Sequence, residues 1–409
     1  MKILCADYIL TCDEKFTILK DAAICFDKKI TDIGKQDEII KKNPYALVKK
    51  MPKNTVLMPG LVNTHIHLEY SANRSTLFYG DFISWLKSVI THREILRKKC
   101  QKPCYDKAIE EMLHSGVTAF GAISSFGDDL LSCFKAHQKV VYFNEILGSN
   151  PNAFDEISKE FYKKFQNSCE YQNERFTPAI SIHSPYSTHP KLMDFALNIA
   201  REENLIVSTH FMESRAEREW LDHGRGDFYD FLKIFSPDPK PMQSAKEFLE
   251  KFRNLETIFV HTGLCNEEEL KFIKDNGTIS HCIVSNRLLG NPSLDMKKIS
   301  DMDIEMHIGT DGLSSNNSLN MWDELRAALF FHHHTDSIEL SRNLIKFATI
   351  EAAKALKIKD KSAIEIGKVA DIISIVLPEK VENLEQLPLM LILHAKEVHH
   401  CYIDGERYV

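Results

Sequence analysis

Eight short β-rich runs, most of them followed by a helical pattern, recur across the middle of this 409-residue chain. They fall at 55–64, 116–124, 139–147, 176–183, 205–210, 256–262, 277–284 and 305–310. Between them lie amphipathic or charged segments with helical spacing, such as KLMDFALNIAREEN at 191–204 and EEELKFIKDN at 267–276. Strands that alternate with helices pair in parallel, because the chain crosses back over the sheet before re-entering it. Eight such units predict a (β/α)8 barrel of the TIM type, with its active site at the C-terminal ends of the strands. An open doubly wound sheet is the rival, but no glycine-rich phosphate loop follows the first strand.

The chain ends read differently. Residues 1–54 and 362–409 alternate apolar and polar residues with short turns, as in ICFDKKITDIG and VHHCYIDGERYV. GKVADIISIV (367–376) looks like a strand re-entering after the last barrel helix. The expectation is a small β-sandwich domain built from both termini around a barrel at 55–361.

A hydrophobic content of 44% is enough for a barrel core, and a net charge of −7 with no basic cluster interleaved with aromatics argues against a nucleic-acid partner. No segment approaches 18 uninterrupted apolar residues, and MKILCADYILTCDEKF carries acids too early for a signal peptide. A soluble, cytoplasmic protein is expected, with no membrane partner and its ten cysteines reduced. Self-association to a homodimer is the one protein contact allowed for.

Metal-competent residues recur at the predicted strand ends. His65 and His67 follow the first run; in an extended segment, side chains at i and i+2 share a face. His183 ends the fourth run, His210 the fifth with Glu213 three residues on, His261 the sixth, and Asp311 follows the eighth. Singly, each has a structural explanation: a core histidine, a turn aspartate beside Gly312, a glutamate at a helix start. Their shared rim is what argues for chemistry. His65, His67, His210 and Asp311 would hold one divalent transition metal, by preference zinc, with iron, nickel or manganese also compatible. Such a site leaves a position open for water. Asp311 could then take the water's proton, Glu213 donate one to substrate, and His261 orient the water. His332, His333 and His334 sit in a helical stretch and point three ways, as packing or surface residues do.

PGLVNTHIHLEY, STHFMES, FVHTGL, SNRLLG, GTDGLSSNNSLNMWDELRAA and GKVADI together resemble the amidohydrolase superfamily. The resemblance runs over essentially the whole chain, and is most specific from Gly309 to Arg326, allowing one extra serine. Its nearest branch holds adenosine-type, guanine and triazine deaminases and chlorohydrolases. It implies His65, His67, His210 and Asp311 as metal ligands, Glu213 and His261 as proton-transfer and water-orienting residues, and His183 as a substrate contact.

DFISWLKSVITHRE (81–94) is similar to the loop of members acting on adenine nucleosides with 5′ substituents, where the residue matching Glu94 holds the ribose hydroxyls. The same run also reads as an amphipathic helix with Trp85, Leu86 and Ile90 inward. SNRLLGN (285–291) resembles the aminodeoxyfutalosine deaminases, which implies 6-amino-6-deoxyfutalosine as substrate and a place in menaquinone biosynthesis. HCIVSN departs from the branch, which usually has a proline, and often an arginine, two residues before Ser-Asn. The small-molecule substrate expected is an adenine nucleoside. Methylthioadenosine or S-adenosylhomocysteine deamination, guanine or triazine chemistry, and a metal-free scaffold are the alternatives.

Overall fold

In a computed structural model of the chain, residues 1–234, 236–358 and 362–409 are described. Eight strands form the barrel: β1 (Leu61–His67), β2 (Val117–Ser124), β3 (Lys139–Ile146), β4 (Phe176–Ile182), β5 (Val207–Phe211), β6 (Thr257–His261), β7 (Gly277–His281) and β8 (Met306–Ile308). Each pairs with its sequence neighbour, always in parallel. The ring closes from β8 to β1, where Thr64 Oγ1 donates to the Ile308 carbonyl at 2.9 Å and the Asp311 N–H to the His65 carbonyl at 3.0 Å.

Alternation along the strands divides the core. In β2, Ala119 and Ile123 join Val62, Val141, Phe143 and Val260 in the interior cluster. Phe120 and Ala122, one residue out of phase, pack into the larger cluster between strands and surrounding helices. The interior is therefore a packed core, and chemistry is confined to its rim.

The apolar run at 55–64 is not one barrel strand, as expected, but two strands in different sheets. Thr55–Pro59 pairs with Lys2–Leu10 and Ile372–Val376 in the terminal sheet, and the barrel begins at Leu61. Gly60 is the crossing point. A Cβ there would come within 2.1 Å of Thr118 Oγ1, so only glycine lets the chain pass this close. An unbroken apolar run, buried on both faces, carries no periodicity that could mark the switch.

The second unit is assembled from both termini as one continuous eight-stranded sheet. Its order runs Glu406–Arg407, His400–Ile403, Ile372–Val376, Thr55–Pro59, Lys2–Leu10, Ile18–Phe26, Ile30–Lys35, with Leu47–Lys50 also paired to Lys2–Leu10. The boundary expected after residue 361 adjoins 359–361, which lie outside the described residues.

Two smaller expectations are corrected. Cys100 and Cys104 form a disulfide, because the turn from the helix Phe82–Lys99 into the helix Lys102–His114 brings their Cα atoms to 5.2 Å. The other eight cysteines are free, and six of them are buried. His332, His333 and His334 follow the helix Met321–Phe331 rather than lying within it, and the His332 ring rests 3.2 Å from His281. No helix among the described residues is long and apolar enough to cross a membrane.

Candidate metal centre

β1 carries both histidines of the HxH pair. Its register against β2 slips between Asn63 and Ile66, a local irregularity of the kind that re-aims side chains at strand ends. The glycines of GTDG then make room. A Cβ on Gly309 would stand 2.8 Å from His65 Cβ, and one on Gly312 2.6 Å from the His67 carbonyl oxygen. This is why Asp311, which has a left-handed φ of 58°, can reach the same point as the two imidazoles.

His210 Nε2 lies 3.3 Å from both His67 Nε2 and His65 Nε2. Asp311 Oδ1 lies 3.8 Å from each of the two β1 rings. His210 Nδ1 donates to the His183 carbonyl at 2.9 Å, which leaves its Nε2 lone pair facing the others. Burial and then the neighbouring imidazoles hold His65 and His210 well below the usual imidazole range, so both rings are neutral donors. Burial alone would raise Asp311, but the surrounding histidines outweigh it and keep the carboxyl ionised. Ser285 Oγ and Ser315 Oγ donate to Asp311 Oδ2 at 2.7 and 2.9 Å, leaving Oδ1 turned toward the rings and accepting only the neighbouring Gly312 N–H at 2.8 Å. Three imidazole nitrogens and one carboxylate at one point are a donor set that fits a single divalent transition metal.

Glu213 and His261 stand beside this group. Glu217 accepts the backbone N–H groups of Met212 at 3.0 Å and Glu213 at 2.8 Å, fixing the turn after β5. Glu213 Oε1 is 3.6 Å from His261 Nε2 and accepts from Asn291 Nδ2 at 3.3 Å. Burial, Asp311 and Glu217 push the Glu213 carboxyl well above the ordinary range, so it holds a proton. His261 is lowered by burial, and its Nδ1 meets Asn286 Oδ1 at 2.8 Å. His183 Nδ1 faces the Ser184 and Ser187 hydroxyls at 3.0 and 2.6 Å.

These residues open into a cavity of about 460 Å³. Trp85, Leu86, Val89, Ile90, Phe228 and Phe231 form one wall of it, so the inward helix expected over 81–94 is present. Glu94 is not part of that wall. Its side chain is 60% exposed and faces Arg97 and Arg93 at 3.6 and 3.8 Å. One residue is about 100° of helical turn, and Arg93 takes the lining position instead. Sequence reading also missed Ser285, Ser315 and Asn286, although all three stand in the SNRLLG and GTDGLSSNN runs, and it missed Glu145, which no motif marks.

Residues 56–408 match the model of the Amidohydrolase family. The chain belongs to the amidohydrolase family. It is 48% identical to the aminodeoxyfutalosine deaminase of a Nitratiruptor species, covering 96% of each chain. It is 33% identical to an adenosine deaminase of Helicobacter pylori over the whole of both. The crystal structure of Helicobacter pylori aminofutalosine deaminase in complex with methylthio-coformycin superposes with a TM-score of 0.95, at 33% identity and complete coverage of both chains.

Proposed function

We propose that this amidohydrolase is a metal-dependent hydrolytic deaminase that removes the 6-amino group of a 5′-substituted adenine nucleoside, with 6-amino-6-deoxyfutalosine as its substrate in menaquinone biosynthesis. The observation that carries the reaction is the placement of Glu213 and His261 beside three converging imidazoles and the Asp311 carboxylate. The relatives' names support the nucleoside.

In this reading His65, His67, His210 and Asp311 hold one zinc or similar ion. The ion's contribution is to lower the pKa of water toward neutrality. Asp311 takes one proton from the water that adds to C6, and His261 orients that water. Glu213 gives its proton to N1 of the ring. Asp311 then passes its proton to the amino nitrogen, the C6–N bond breaks and ammonia leaves. The remaining hydroxyl proton returns to Glu213 as the C6 carbonyl forms, so the residues end as they began. His183 contacts the substrate, and the apolar wall from Trp85 to Phe231 receives the 5′ substituent.

Ammonia release from 5′-substituted adenosines, adenosine, guanine and triazines by metal-loaded protein tests the assignment. Release from the 5′-substituted adenosines is expected to dominate. Preference for guanine, or dechlorination of a triazine, would replace this reading with the other chemistries of the branch.

A further inference from the structure

Glu145, the penultimate residue of β3, is a carboxylate on the cavity wall that the reaction above does not use. It is 1% exposed. Its Oε2 accepts the Ser125 hydroxyl, whereas Oε1 is buried with no hydrogen-bond partner. Among the described residues no lysine or arginine pairs with it. Burying a carboxylate oxygen without a donor costs stability, so such a group is retained where something outside the fold supplies the donor.

The surroundings narrow what that donor is. One carboxylate oxygen of Glu145 lies within 4.8 Å of ring nitrogens of His183 and His210. That trio is not a second metal site. His210 Nδ1 carries a hydrogen toward the His183 carbonyl, and its Nε2 already converges with His65 and His67. His183 Nδ1 is likewise engaged with Ser184 and Ser187. What remains is an acceptor at Glu145 beside an imidazole edge at His183, next to the metal-ligand group and on the lining of the same cavity as the apolar wall. The atoms of a nucleoside that lie between its base and its 5′ substituent, and that donate hydrogen bonds, are the sugar hydroxyls.

We infer that Glu145 is the sugar-binding carboxylate of this site, accepting a ribose hydroxyl at Oε1 while Ser125 holds Oε2. This rests on the nucleoside deaminase reading, and it takes over the role expected of Glu94. Ser125 fixes the carboxylate from a second direction, since its backbone N–H donates to Glu69 Oε2 at 3.0 Å and its carbonyl accepts from Lys164 Nζ. A positioned acceptor of this kind discriminates strongly, because an analogue lacking the hydroxyl leaves the buried oxygen unpaired.

The test compares a 5′-substituted adenosine with its 2′,3′-dideoxy analogue. Glu145→Gln is expected to cut kcat/KM at least tenfold for the ribosyl substrate and less than threefold for the dideoxy analogue, with metal content unchanged. Equal losses on both substrates, or no loss on either, would overturn the assignment. Should Glu145→Gln fail to fold, Ser125→Ala serves in its place: a higher KM for the ribosyl substrate alone supports the proposal, and a uniform change overturns it. If the unmutated enzyme deaminates no nucleoside, it is the functional reading that has failed, and the two failures are thereby told apart.

Discussion

His261 presents Nε2 to Glu213 Oε1 at 3.6 Å while its Nδ1 meets Asn286 Oδ1 at 2.8 Å, so the imidazole facing the acid is held by an amide on the short helix Ile283–Leu288 that follows β7. A carboxyl kept protonated by burial and an imidazole kept neutral by burial thus share one side of the metal-ligand group. Glu213→Gln preserves shape but removes the transferable proton. It is expected to lower kcat by about 10²-fold or more while bound metal is unchanged. Loss of metal in that variant, read by elemental analysis, would make Glu213 a ligand instead of an acid.

The metal itself gives the second prediction. His65, His67, His210 and Asp311 are expected to hold about one equivalent of transition metal per chain, and His210→Ala to lose both occupancy and turnover. Two equivalents per chain, or full activity in metal-free protein, would contradict a mononuclear centre.

Glu94 supplies a control. Its carboxylate is exposed and, among the described residues, pairs with Arg93 and Arg97, and exposed pairs of this kind contribute about 0–1 kcal/mol. Glu94→Ala is therefore expected to change kcat/KM by less than about threefold. A tenfold loss confined to ribosyl substrates would return the sugar contact to the helix.

Stability should depend on pH through buried carboxyls that are not themselves metal ligands. Burial, then Asp129, raises Glu69 to about 8, and burial raises Glu324 to about 8. A raised folded pKa means that the folded state binds the proton more tightly than the unfolded chain does. The contribution is complete below the unfolded value near 4.5 and is lost as pH rises through about 8. The Tm of metal-free protein is expected to fall across that window. Glu324→Gln is expected to be less stable at low pH, since an amide offers one acceptor oxygen to the Val284 N–H and the Asn316 amide, yet to show a flatter slope because it cannot ionise. An unchanged slope would assign the pH dependence to other groups.

How much of this could be read from sequence follows from the range of each interaction. His65 and His67 were legible because a strand places i and i+2 on one face, and Asp311 because GTDG is a turn that only glycine permits beside the two rings. The barrel was legible from alternation of strands and helices. The strand switch at Gly60 was not, since an unbroken apolar run has no phase. Glu94 and Arg93 differ by one helical step, and a register taken from motif spacing does not resolve 100° of rotation. Glu145 reaches the site from a strand, and Ser285 and Asn286 from the helix Ile283–Leu288, all far apart in sequence from the HxH pair, so only the folded barrel brings them together.

The central claim is tested most directly by incubating metal-loaded protein with a 5′-substituted adenosine and measuring ammonia against nucleoside product. One ammonia per inosine-type product, at a rate exceeding that with guanine or a triazine and lost on removal of the metal, is the result expected. Intact nucleoside after such an incubation, or turnover that persists without metal, would contradict it.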